Sequence, residues 1–339
     1  MVALYVASSE AAAGKTAIGA GVGKHLLGDG RKVGFLKPII ADKKPAAGSD
    51  GDAAFMKQVL GLPEPVDSLC PLISGEGFLA NKVKEVYAKV SQGKDVIIVE
   101  GMCGQSLDDS LSKTSYEIAG ALKAKVIVVE GYSNQSMAKS INSYKGFGEN
   151  LLGIVLNKVP VSQLKRVSDE ISPQFDEAGV TILGVIPEDR VLLTLTVGEL
   201  ANSIQGEIIN NAEKSAELVG GFMVGAMCVD SGLEYFGRKA NKAAVVRDDR
   251  PDMQMAALET STRCLVISGN TGPIDYVRYK AEDEGVPIIL TKNDTGTIVK
   301  SIEDALGKAR FTQEKKLLKL AEIMEKHLDF QAIYRGLGI

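Results

Sequence analysis

Ala3-Leu4-Tyr5-Val6-Ala7-Ser8-Ser9-Glu10-Ala11-Ala12-Ala13-Gly14-Lys15-Thr16 is the stretch on which the reading of this 339-residue chain turns. The first five residues are an apolar run with the look of a strand buried on both faces. The turn that follows carries a glycine, and Lys15 opens a helical pattern to Leu27. Strand, glycine-containing turn and helix in that order form the context a phosphate-binding loop needs. Backbone N–H groups of the turn (Glu10 and Ala13 among them) and of the helix N-terminus point at an anion, and the helix dipole favours negative charge there. Gly14 lets the backbone approach the phosphates. Lys15 supplies a cation to the β and γ phosphates, and Thr16 offers a hydroxyl to Mg²⁺. The usual pattern has glycine where this chain has Ser9.

Outward from the turn, short Val- and Ile-rich runs alternate with helical stretches. Strands are expected at 3–7, 32–37, 95–100, 125–129, 152–157 and 182–186. Helices are expected at 15–27, 78–91, 115–122, 137–144 and 161–177. Such alternation predicts an α/β fold with a mostly parallel sheet and right-handed crossovers. A second, smaller α/β series follows, with strands at 222–227, 243–246, 264–268 and 287–290, helices at 253–260 and 274–284, and charged helical stretches at 295–308 and 312–328. A helix over 196–215 is expected to join the two. The expected division is 1–205, 206–312 and a C-terminal helix 313–339.

Inventory narrows the chemistry. Net charge is -4, which argues against nucleic acid or an anionic membrane as partner. The four cysteines, Cys70, Cys103, Cys228 and Cys264, form no CxxC pair, so neither a zinc site nor a disulfide framework is indicated. A reduced, cytoplasmic setting is expected. No signal segment precedes the first strand pattern, and no apolar run reaches the roughly 18 residues that span a bilayer. Only two histidines are present, His25 and His327, both in helical stretches, so histidine-based catalysis is not expected.

Several residues fall where a nucleotide site needs them. Glu100 ends the third strand, where a Mg²⁺ ligand belongs. Asp50 and Asp52 follow the second strand in a glycine-rich segment and could reach the same ion. Glu130 ends the next strand, but one ion needs only one such acid, and it is read as structural. Lys37 closes the second strand facing the crevice, where it could pair with a carboxylate or a phosphate; Lys15 and Lys37 are the candidate catalytic cations. Asn157 and Pro187 lie where a base-recognition loop would sit. In the second series, Asp249 and Arg250 follow one strand, Ser268, Gly269 and Asn270 another, and Asp294 and Thr295 a third. Their convergence on one sheet edge suits a small anionic ligand, a subunit contact or a local ion pair.

Taken together, the turn before Gly14-Lys15-Thr16, Lys37-Pro38-Ile39, Ser49-Asp50-Gly51-Asp52-Ala53, Val99-Glu100-Gly101, Asn157 and Gly184-Val185-Ile186-Pro187 resemble the dethiobiotin synthetase family over roughly the first 190 residues. The resemblance implies phosphate binding at Gly14, Lys15 and Thr16, Mg²⁺ at Thr16, Glu100 and Asp52, adenine contacts at Asn157 and Pro187, and a substrate contact at Lys37. Ala11 and Ala41 stand where that family has a substrate-binding threonine and a serine, so dethiobiotin synthesis itself is not expected. Residues 212–310 resemble the DRTGG domain through Val224-Gly225-Ala226-Met227, Asn241 to Val246, Asp249-Arg250, Ser268-Gly269-Asn270, Val286 to Ile289 and Asp294-Thr295. The pairing is similar to the N-terminal regulatory region of long phosphate acetyltransferases. It implies an ATP- and Mg²⁺-binding regulatory or sensing ATPase, as a homodimer because related P-loop proteins complete their sites between subunits. Two alternatives stay open: an ATP-dependent ligase or kinase acting on a small carboxylate, and a scaffold for a protein partner with a degenerate loop.

Overall fold

The structure, a computed structural model, describes residues 1–40, 51–73, 79–101, 113–133, 137–189, 191–192, 194–226, 231–307 and 314–339. Ser49, Asp50, Ala41, Cys103, Met227 and Cys228 lie outside the described residues. The chain forms two compact units, Met1–Leu192 with Arg310–Ile339, and Leu193–Ala309.

In the first unit, β1 (Val2–Ala7), β2 (Val33–Leu36), β5 (Val96–Glu100), β6 (Lys125–Gly131), β7 (Leu151–Val159) and β8 (Ile182–Pro187) form one sheet in the order β2-β5-β1-β6-β7-β8. Every pairing in it is parallel. Two short strands, β3 (Ile39–Ile40) and β4 (Leu72–Ile73), pair separately. All six expected strands are present, because each apolar run is long enough to cross the sheet and is covered on both faces. Alternation then sorts the side chains. Leu4, Val6, Val96, Ile98, Ile127 and Val129 face one side, whereas Ala3, Tyr5, Ile97, Val99, Val126 and Val128 face the other.

The first face is covered by α1 (Lys15–Gly28), through Ile18, Val22 and Leu26, and by the end of the chain. The expected single C-terminal helix is two, Glu314–His327 and Phe330–Leu337, with Asp329 capping the second by accepting from Ala332 N at 2.8 Å. They are not a free appendage. Leu317, Leu320, Met324, Ile333 and Leu337 are buried in the same core as α1. Gly21 explains how close they come, since a Cβ there would sit 2.1 Å from Met324 Sδ. His25 stacks on Phe330 with centroids 3.7 Å apart, and Tyr334 Oη lies 2.6 Å from His25 Nδ1 and donates to Asp29 at 2.7 Å.

Two stretches depart from expectation. Gly51–Leu60 is a helix where a glycine-rich loop was expected, so Asp52 stands in a first helical turn, with Phe55, Met56 and Val59 burying its apolar face. The stretch 161–177 is helical throughout, as expected, but not uniformly α: a 3-10 turn and one α-helical turn lead into a π-helical segment over Val167–Ile171, and α-helix resumes from Ser172 to Glu177. Pro173, which has no N–H to donate, stands where the π-helical segment gives way to α-helix.

The second unit holds β9 (Glu207–Ile208), β10 (Gly221–Val224), β11 (Lys242–Arg247), β12 (Thr262–Ser268) and β13 (Ile288–Thr291), in the order β10-β11-β12-β13-β9, with β9 alone antiparallel. The helix expected over 196–215 is confined to Val197–Ser203, which Thr196 and Glu199 close with a reciprocal capping box. Gln205, with φ 52°, ends it, and the chain then pairs along β13 as β9. This segment belongs to the second unit, so the observed parting at 192/193 differs from the expected 205/206. Lys242 is fully buried here, donating to Thr260 Oγ1 at 2.8 Å and to Ser261 O at 3.0 Å, and burial pulls its ammonium down to about 8. Among the described residues, no helix is long and apolar enough to cross a membrane.

Candidate functional site

The sheet order places β1 between β5 and β6, where the chain direction across the sheet reverses. In an open parallel sheet that is where a crevice opens beyond the strand C-termini. The turn Ser9–Gly14 lies there, leading into α1. Ala12 and Gly14 adopt positive φ, 58° and 103°, and so fold the turn back onto the helix start. A Cβ on Gly14 would meet Asn157 Nδ2 at 2.2 Å, so this position must be glycine for close approach as well as for φ.

Lys15 Nζ is buried and donates to Ser8 Oγ at 2.6 Å, which holds the ammonium over the turn. Thr16 Oγ1 donates to Glu100 Oε1 at 3.2 Å. Glu100 is 4% exposed, and its Oε2 is buried with no partner among the described residues. Burial pushes the Glu100 carboxyl above the usual range, against the pull of the Lys37 ammonium beside it. Lys37 Nζ lies 2.5 Å from Asp52 Oδ2 and 3.4 Å from Glu100 Oε1, so it bridges the two acids. Lys15, Thr16, Lys37, Asp52 and Glu100 therefore meet at one place.

The remaining expected contacts are arranged differently. Asn157 uses its amide on the protein: Nδ2 donates to Ala13 O at 2.8 Å, and Oδ1 accepts from Lys158 N at 2.9 Å. β7 runs on to Val159 through an irregularity after Leu156, where Lys158 takes a φ of 57° and its Nζ donates to Ala12 O at 2.9 Å. Pro187 ends β8 opposite Val159. Asn157 and Lys158 thus hold the carbonyl side of the phosphate turn.

Glu130, read from sequence as structural, is the residue that reading missed. Its Oε1 accepts from Ser9 N at 3.0 Å and its Oε2 from Ser9 Oγ at 2.6 Å. Burial pushes its carboxyl up, and the Ser9 bonds pull it back. Glu10 Oε1 in turn accepts from Gly131 N at 3.1 Å. The signal was present in the repeat of Val99-Glu100-Gly101 as Val129-Glu130-Gly131 on the other neighbour of β1, together with a hydroxyl in place of glycine at position 9.

In the second unit the ends of β11, β12 and β13 are brought side by side as expected. Arg247 lies 2.5 Å from Asp249, and Arg250 lies 2.7 Å from Asp252. Asp248 Oδ2 accepts from Asn270 N and Thr271 N, both at 3.0 Å, which joins the loops after β11 and β12; the Thr271 N–H, foremost among these bonds, holds its carboxyl below the usual range. Gly269 has φ 146°, Ser268 Oγ donates to Asn293 O at 2.8 Å, and Asp294 accepts from Thr297 N at 3.0 Å, at the start of the helix that Thr295 opens.

With this geometry in view, the similarities to known proteins are specific. Residues 2–194 match the AAA domain model, and residues 199–305 match the DRTGG domain. Phosphate acetyltransferase of Pseudomonas aeruginosa is 22% identical over 98% of this chain and 52% of its own length. That of Escherichia coli is 21% identical over 93% and 50%, and that of Nitrosomonas europaea 23% over 75% and 39%. The chain spans about half the length of the curated relatives it matches, or less. Among solved structures, MinD cell division protein of Aquifex aeolicus is 18% identical over 57% of this chain and 84% of its own, with a TM-score of 0.37. The CBS and DRTGG domains of Clostridium perfringens pyrophosphatase are 17% identical over 43% and 69%, with a TM-score of 0.30.

Proposed function

The chain belongs to the AAA domain family, whose model covers residues 2–194, and from that premise we propose that it binds ATP with Mg²⁺ at the turn Ser9–Thr16 and acts as a regulatory nucleotide sensor. The observation that carries the reading is Glu100. A buried carboxylate oxygen without a partner among the described residues, beside the Thr16 hydroxyl and at the foot of the glycine-containing turn, suits a nucleotide-bound cation. Mg²⁺ in such sites keeps most of its water and takes one or two protein oxygens together with phosphate oxygens. Thr16, Glu100 and Asp52 would hold the ion, which would neutralise phosphate charge. Lys15 binds and orients the phosphates, and Gly14 keeps Cβ atoms out of their path. The regulatory role is supported by the order of the two matched domains and by similarity to the phosphate acetyltransferases over about half their length.

A second reading, transfer of phosphate to a small carboxylate, is favoured by Lys37 at the crevice beside Glu100. Calorimetric titration with ATP and Mg²⁺ tests the first. Saturable binding in the micromolar to low millimolar range, lost in Lys15→Ala, is expected. No binding by the wild type would sink it, and unchanged affinity in Lys15→Ala would favour a scaffold. Screening small carboxylates for ADP release above the basal rate tests the second.

A further inference from the structure

The two strands flanking β1 end alike, and only one of their acids has a place in the nucleotide reading. Glu130 closes β6, is 5% exposed, and uses both carboxylate oxygens on Ser9, which stands where a phosphate turn ordinarily has glycine, while the buried Tyr144 hydroxyl also bonds the carboxylate. The parallel register explains the match. Leu4 lies opposite Lys125 and Ala7 opposite Val128, and the same offset carried past the end of β1 sets Ser9 beside Glu130 and Glu10 beside Gly131. The pairing of the two strands is thus continued by side chains, with Ser9 N–H and Oγ–H donating to Glu130 and Gly131 N–H donating to Glu10.

Beyond that anchor the turn must reverse direction within a few residues, through Ala12 at φ 58° and Gly14 at φ 103°. A non-glycine residue at positive φ persists only where its surroundings hold it. Lys158 and Asn157 hold the carbonyls of Ala12 and Ala13 from β7, and on the β6 side the turn is held by Ser9 on Glu130 and by Glu10 on Gly131 N–H. A glycine at position 9 could not make the hydroxyl bond, so the serine and the glutamate form one unit.

We propose that Glu130 is a positioning residue that clamps the phosphate turn through Ser9, so that the affinity of the loop for a nucleotide is set in part from β6. This rests on the nucleotide reading above, and its test separates the two. Dissociation constants for Mg²⁺–ATP would be measured on the full chain for the wild type, Glu130→Ala, Glu130→Gln, Ser9→Ala and the Ser9→Ala/Glu130→Ala double variant. Amide exchange over residues 8–14 would be followed without nucleotide. Leaving Ser9 N–H and Oγ without acceptors weakens binding about tenfold in Glu130→Ala, and removing one bond weakens it about threefold in Ser9→Ala. The double variant is no weaker than Glu130→Ala alone, because both changes remove the same contact. Glu130→Gln accepts from Ser9 N and donates to Ser9 Oγ, so it stays within about threefold of wild type. Exchange at the turn quickens about tenfold in Glu130→Ala and stays near wild type in Glu130→Gln. Wild-type affinity and exchange in Glu130→Ala, additive losses in the double variant, or Glu130→Gln behaving as Glu130→Ala would each overturn the proposal. Should Glu130→Ala not fold, Ser9→Ala decides: unchanged affinity overturns the clamp, and a threefold loss supports it. Absence of ATP binding by the wild type defeats the nucleotide reading, and exchange alone then decides the clamp.

Discussion

Replacing Gly14 with alanine is the sharpest perturbation of the first unit, because two independent costs meet at one atom. At φ 103° and ψ 24° an alanine sits in the left-handed region, which costs roughly 1–2 kcal/mol. The added Cβ would lie 2.2 Å from Asn157 Nδ2, so the amide must swing away and give up its bond to Ala13 O. Leaving buried groups unsatisfied costs roughly 1–3 kcal/mol more. About 3 kcal/mol in all corresponds to a fall of roughly 6–12 °C in the midpoint of a unit of this size. Scanning calorimetry on the wild type, Gly14→Ala, Asn157→Ala and the double variant separates the terms. In the Asn157→Ala background the collision is absent, and Gly14→Ala should cost only the conformational part, about 1–2 kcal/mol. A loss below about 1 kcal/mol in the wild-type background, or equal losses in both backgrounds, would refute the claim that close approach of Asn157 fixes this glycine.

Two further outcomes are expected. Lys242 is fully buried with its ammonium pulled down to about 8, so between that pH and the ordinary lysine range the unfolded chain holds more protons than the folded one. Stability of the second unit should therefore rise with pH across this window, and Lys242→Met should flatten the rise; a wild-type denaturation series that is flat from pH 7.5 to 10 would contradict it. Truncation after residue 313 strips Leu317, Leu320, Met324 and Ile333 from the core that α1 shares. The first unit should then melt far below wild type or aggregate, whereas a cooperative transition at the wild-type midpoint would show that the two C-terminal helices are dispensable.

The sequence is legible where a single physical rule acts. Val96–Glu100 and its five companions are uninterrupted apolar runs, and burial on both faces leaves them no other fate. The turn before α1 is legible because Gly14, Lys15 and Thr16 stand together at a strand end. What could not be read depends on partners far along the chain. Glu130 looks like any strand-end acid until the β1–β6 register sets it against Ser9. Asn157 has the right chemistry for a base edge, yet its Nδ2 is drawn to a carbonyl 144 residues away. The end of the helix at Ser203 follows from the pairing of Ile208 with Ile289, which no local propensity announces. In the second unit, Arg250 pairs two residues onward, with Asp252, a partner that the strand-end pattern did not single out.

The two helices after residue 313 carry a consequence for biosynthesis. Met324 fills the notch over Gly21, so the packing of α1 is complete only once Glu314–His327 has been made. A ribosome delivers Leu193–Ala309 in between, as a unit with a core of its own. Until the terminal helices emerge, the flank of α1 that carries Gly21 is bare, and the phosphate turn is attached to an unfinished support. Nascent chains stalled before Glu314 should accordingly depend on chaperones, and nucleotide binding should appear only after the segment Glu314–Leu337 has emerged.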